Sequence, residues 1–185
     1  MSETIRNLIT FESKEFNTTE PQEHFINDCC YGDDFCKWLI EELTKKGVEC
    51  DKEPGQEDFG WYFNFAVNKV TYCLVCGFRL NEEQEKTSAD EPDEKHEKDD
   101  NDERDDKEKT AEHSEKSHGD WIIWIERSAG FMSSLFGGRN KGLDDGVPRL
   151  IHSTLAAHPA ITNIRWHKKK DFDSGREDLA VSTPE

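Results

Sequence analysis

Apolar positions along the chain fall into short runs with two periods. Trp61, Phe63, Phe65 and Val67 alternate with Tyr62, Asn64, Ala66 and Asn68, which predicts a half-buried strand. Val70, Tyr72, Leu74, Cys76, Phe78 and Leu80 share one face of a second strand, and Asn68-Lys69 between the two is the turn of a hairpin. Trp121-Ile122-Ile123-Trp124-Ile125 is apolar on both faces, the pattern of a central strand covered on each side. Leu8 to Phe11 predicts a first strand, Val48 to Cys50 a short one broken by Pro54-Gly55, and Ile161 to His167 a last one with Ile164 and Trp166 on one face.

The helical period is clearest after Asp33, where Phe35, Leu39 and Leu43 recur every four residues and Cys36 and Ile40 widen the stripe. Asp33 is placed to cap this helix, and Lys45-Lys46-Gly47 supplies cations and a glycine to end it. Ala129 to Phe136 predicts a short helix, and Val147 to Ala157 another, with Pro148 near its start, Leu150, Ile151 and Leu155 inward, and Pro159 as its stop. The order predicts an α+β domain: a mostly antiparallel sheet of about five strands with two to three helices packed on it.

Glu82 to Gly119 interrupts this pattern with 38 residues that include no Val, Ile, Leu, Met, Phe, Trp, Tyr or Cys. A stretch with so little to bury cannot offset its loss of conformational entropy, so it is expected to be a disordered insert between consecutive strands. The expected organisation is one domain, built from residues 1–81 and 120–170 around the insert at 82–119, with a polar, disordered tail at 171–185.

Charge sharpens the division. The insert holds 17 Asp or Glu against 7 Lys or Arg, a net of −10, which leaves −7 of the chain's −17 to the remainder. Coulomb repulsion disfavours nucleic acid and anionic membranes as partners and leaves two readings open, a basic protein partner or acidity that only maintains solubility, the second being favoured. Asp33, Asp34, Glu41, Glu42, Glu57 and Asp58 are the folded-domain acids expected to contribute to partner binding. With no stretch resembling a signal peptide and no run approaching a membrane span, a cytoplasmic location is expected, where the six cysteines are thiols.

Motif chemistry adds little. Cys73-Leu74-Val75-Cys76 has the spacing of a zinc knuckle, but strand residues three apart point to opposite faces, so the pair reads as two core thiols. Cys29-Cys30 and Cys36 lack a histidine in register. Asp58-Phe59-Gly60 spells a kinase triplet without the rest of a kinase, and reads as a tight turn before Trp61. Gly137 to Gly142 offers amides and two cations to a phosphate but fails the P-loop pattern, and reads as a helix end and surface loop. His152 with Glu126 or Asp145 is the one acid/base pairing considered, with no motif behind it. No catalytic residue, metal or cofactor is implied.

Gly32-Asp33-Asp34, Trp38-Leu39, Gly47, Asp58 to Phe63 and Ile161 to Trp166 together resemble a group of small bacterial cytosolic α+β proteins without assigned function. The resemblance spans Leu8 to His167 without the insert and implies a fold, carrying no functional residue with it. Two functional expectations remain. The first is an interaction protein of the immunity or inhibitor kind that docks on a basic partner. The second is a small-ligand or enzymatic domain with a pocket lined by Trp121, Trp124 or Trp166.

Overall fold

The computed structural model describes residues 5–27, 30–80, 119–128 and 143–184. The expected insert therefore lies outside the described residues except for Gly119, as do the expected helix at Ala129 to Phe136, the Gly137 to Gly142 loop and Cys29.

The α+β expectation holds, with more strands than the expected total of about five: seven, which are the six segments marked in the sequence and one more. They are β1 (Leu8–Glu12), β2 (Glu49–Cys50), β3 (Gly55–Glu57), β4 (Gly60–Val67), β5 (Val70–Leu80), β6 (Gly119–Arg127) and β7 (Thr162–His167). All pair antiparallel in the order β2-β4-β5-β6-β1-β7, with β3 also on β4. The added strand, β3, falls where the sequence suggested a polar loop. β2 and β3 pair with different halves of β4 and act as one edge strand interrupted around Pro54, which has no N–H to donate. Asp51 carries the ladder into that break: its amide donates to the Asn64 carbonyl at 2.9 Å, and its carboxylate accepts from the Asn64 amide at 2.7 Å.

The β4–β5 hairpin turns at Asn68-Lys69 as expected, both residues having positive φ (52° and 65°) between the paired Val67 and Val70. β5 and β6 pair from Tyr72↔Arg127 to Leu80↔Gly119, so the strands on either side of the insert are direct neighbours.

Helix α1 (Asp33–Lys45) lies on one face of the sheet with Phe35, Cys36, Leu39, Ile40 and Leu43 buried, and α2 (Gly146–Ala156) buries Val147, Ile151 and Leu155 in the same core. Burying each large apolar side chain contributes about 1.5–3 kcal/mol. Beneath them lie Ile9 and Phe11 of β1, Trp61, Phe63 and Phe65 of β4, Tyr72, Leu74 and Cys76 of β5, Trp121, Ile123 and Ile125 of β6, and Trp166 of β7. Phe11, Phe16 and Phe35 pack around Trp121 with ring centroids 5.7–6.3 Å from it.

Asp33 does not cap α1. The N-cap is Gly32, whose φ of +139° disfavours any side chain, and a Cβ there would also stand in tight contact with the sheet, 3.2 Å from the Cys76 sulfur and 3.3 Å from Trp61. At the other end Gly47 (φ +81°) takes the expected glycine position.

The expectation of a disordered tail is also corrected. Residues 169–172 form α3 (Lys169–Phe172), a 3-10 turn follows at Glu177–Leu179, and Val181 pairs with Trp166 at the outer edge of β7. The tail anchors through polar and single aromatic contacts rather than an apolar stripe, so its composition resembled that of a solvated end. It lies over the second face of the sheet at β1 and β7, where Leu8, Thr10 and His167 are buried. Further across that face, Ile122 and Trp124 of β6 are half-buried, so the central strand is covered more completely on one side than the other.

Candidate functional site

The six acids expected to bind a partner have separate fates. Asp33, 8% exposed, accepts hydrogen bonds from Lys37 Nζ and His24 Nε2, each at 3.0 Å. Asp34 accepts from the Asn17 amide at 2.7 Å and the Phe35 amide at 2.9 Å, tying the chain after β1 to the helix. Burial pushes its carboxyl above the usual aspartate value, and those two amides pull it back. Glu42 pairs with Lys45. These three are occupied within the domain. Glu41, Glu57 and Asp58 form no ion pair with any described residue; Glu41 and Asp58 are exposed and Glu57 is half-buried.

One end of the sheet gathers several of these positions. Gly32 sets the start of α1 against Trp61, the first large residue after the β3–β4 turn. Trp61 Nε1 donates to the Cys30 carbonyl at 2.8 Å, and its ring meets Phe25 at 5.1 Å and His24 at 5.9 Å. The buried Gln56 side chain accepts from the Ile26 amide and donates to the Asn27 carbonyl, which fastens the loop before α1 to β3. Gly60 closes the turn at φ +133° because a Cβ would lie 2.3 Å from the Cys76 carbonyl oxygen.

On this scaffold two large apolar side chains face solvent. Ile26 is 76% exposed and Phe59 is 40% exposed, with the Phe59 ring 6.4 Å from Trp124 on the second face. Exposed Glu20 and Glu23 flank the loop, and Glu57 and Asp58 form the turn, none of them in an ion pair with a described residue. Each of the two exposed apolar side chains thus lies in a segment that also carries acidic residues, Ile26 after Glu20 and Glu23, Phe59 after Glu57 and Asp58. Sequence reasoning missed Ile26 altogether and took Phe59 as the middle of a coincidental triplet and as part of the resemblance, in neither case as an exposed contact residue. The available signal was that Phe59 falls in a turn and not on a strand period.

The tryptophans expected to line a pocket are not brought together. Trp121 and Trp166 are fully buried beneath the helices, with their indole N–H groups donating to the Ser13 carbonyl (3.2 Å) and to His152 Nδ1 (3.2 Å), whereas Trp124 lies on the opposite face. His152 thereby receives a hydrogen bond from Trp166 and contacts neither Glu126 nor Asp145 among the described residues. Its imidazole is held below the usual histidine value by burial.

Cys73 and Cys76 point to opposite faces, as their spacing predicted. Cys76 is fully buried against Cys36, and burial pushes the Cys73 thiol up to about 12. Neither is a reactive thiolate at neutral pH. Among the described residues, no three His, Cys, Asp or Glu side chains come together as metal ligands, and no helix is long and apolar enough to cross a membrane.

A second polar cluster went unnoticed in the sequence. Thr10, Arg79, Asp120, His167 and Glu177 meet beneath the C-terminal segment, drawn from four strands and a tail expected to be unfolded. Comparison with protein-family models, with curated proteins and with solved structures finds no match for this chain.

Proposed function

We propose that this chain is an interaction domain that docks on a basic protein partner through the end of the sheet formed by residues 20–27 and the β3–β4 turn. The observation that carries this reading is the exposure of Ile26 and Phe59 in two segments tied together through Gln56 and Trp61, the first carrying Glu20 and Glu23 and the second Glu57 and Asp58. Interfaces draw most of their affinity from a few central apolar or aromatic side chains, while unpaired rim charges speed encounter and reject partners of the same sign. Asp33 and Asp34, engaged in hydrogen bonds at the start of α1, would support the surface from within the domain. Glu41, one turn beyond Lys37 on α1, extends the acidic surface along the helix.

The test is a side-by-side capture from lysate with immobilised wild-type protein and the triple variant Glu57→Lys, Asp58→Lys, Phe59→Ser, at low and high salt. The variant's thermal unfolding is checked first against wild type. The reading expects a basic protein retained by wild type at low salt, released at high salt and absent from the variant. Retention of the same proteins by both, or no salt-sensitive partner, contradicts it.

A further inference from the structure

The second face of the sheet is closed at one end by a latch made of a few identifiable contacts. Phe172 of α3 stands edge-on to the His167 ring at 5.2 Å, and the Arg79 guanidinium lies over the same phenyl ring at 5.3 Å. Arg79 also grips Glu177 with two nitrogens, at 2.8 and 3.2 Å, and reaches Asp120 at 3.2 Å. Arg165 donates to the Glu177 carbonyl at 3.3 Å, and Val181 exchanges two backbone hydrogen bonds with Trp166. Beneath the latch, His167 is 2% exposed; its Nε2 is 2.9 Å from Thr10 Oγ1, and its Nδ1 is buried with no hydrogen-bond partner among the described residues.

We propose that residues 168–181 form an acid-released strap, held shut while His167 is neutral and loosened from the sheet when His167 takes up a proton. A neutral imidazole has one N–H, and the Thr10 hydroxyl can either donate to Nε2 or accept from it. An imidazolium has two, and the second would point from Nδ1 into a buried site without an acceptor, carrying a charge with it.

The neighbouring charges do not relieve this. Arg79 from β5 and Arg165 from β7 repel the imidazolium. Asp120 from β6 and Glu177 from the 3-10 turn attract it, but both carboxylates already bind Arg79. Within the strap, Lys169 pairs with Asp173 and Arg176 with Asp171, so those charges are matched locally. Accommodating the proton requires Glu177 to leave Arg79 or water to enter beside the ring, and Phe172 blocks the second route until α3 moves.

Burial, the largest influence, holds the His167 pKa below its usual value in the closed state. Opening the strap would lift that burial and return the ring towards the ordinary histidine range. Closure is therefore fully favoured above that range and weakens as pH falls through it towards the depressed value. Opening would free the outer edge of β7, now covered at Trp166 by Val181, for pairing with another strand.

Hydrogen exchange of the full chain tests the strap, with rates converted to protection factors so that the intrinsic pH dependence cancels. Between pH 7.5 and 5.5 the Val181 and Trp166 amides should lose protection by a factor of up to about ten, the most that one histidine in its ordinary range can contribute over this interval, while β5 and β6 amides keep theirs. His167→Gln should show no such pH dependence. Should that variant's strap be open at both pH values, the wild-type ring titration followed by NMR decides: the loss of protection must track His167 itself. Constant protection in wild type, a loss equal in His167→Gln, or a loss that tracks another group overturns the proposal.

Discussion

Replacing residues 81–118 by Asn-Gly should make the protein more stable. The reason lies in the register: Leu80 and Gly119 are paired partners at the ends of β5 and β6, so the 38 residues between them close a loop whose ends already stand at hairpin distance. The same sheet turns in two residues at Asn68-Lys69, showing that its twist suits a short turn with positive φ. Closure entropy falls by about 0.6 kcal/mol for each halving of loop length, and going from 38 residues to 2 is about four halvings, giving roughly 2.5 kcal/mol. Short turns are stiffer than the relation assumes, so this is an upper bound. Removing a segment of net charge −10 should also relieve repulsion within an acidic chain, an effect that shrinks with salt. Urea unfolding of both proteins in 0.15 M salt measures the difference. We expect the midpoint to rise with an almost unchanged slope, and the thermal midpoint to rise by about 5–10 °C at most. A shortened protein that loses stability would refute the reasoning, because the deleted residues would then supply burial that their composition denies them.

Other expectations follow from single contacts. Gly60→Ala should cost at least about 3 kcal/mol in urea unfolding, since the new methyl group meets the Cys76 carbonyl of the neighbouring strand at 2.3 Å on a backbone with φ +133°. Leu39→Ala, at a fully buried position between α1 and the sheet, should cost about 3–4 kcal/mol by the same measurement. Glu177→Gln should cost only about 1 kcal/mol at neutral pH, because the Arg79 pair is part-exposed and solvent screens it. Arg79 holds the Glu177 carboxyl below its usual value, so this contribution is complete above the ordinary glutamate range and is lost as pH falls through the depressed one. Stability curves of wild type and Glu177→Gln should therefore converge in acid.

Period and punctuation made the framework legible. The alternation through Trp61 to Val67, the Asn68-Lys69 turn and the four-residue recurrence of Phe35, Leu39 and Leu43 each depend on neighbours in sequence, and each appears where expected. β3 was hidden because Gly55, Gln56 and Glu57 are poor strand formers that pair only at an edge, with β4 as template. The tail was hidden for a related reason: its anchors are Phe172 on His167, Glu177 on Arg79 and Val181 on Trp166, contacts across long sequence separations with no local period. Acidic residues identified the charge of the candidate surface but not its centre. Ile26 and Phe59 matter through being exposed, and exposure at a turn or loop is decided by what the rest of the chain leaves uncovered. Asp33 shows the reverse case, a residue chosen for its charge that the fold uses internally.

The claim beneath all of this is that the segments before and after the insert build one continuous sheet. Backbone NOEs around Trp124 test it most directly, because this residue is paired with Val75 of β5 on one side and Leu8 of β1 on the other. The account predicts cross-strand contacts from Trp124 to both residues in the same molecule. Contacts to neither, or to Leu8 but not Val75, would contradict it.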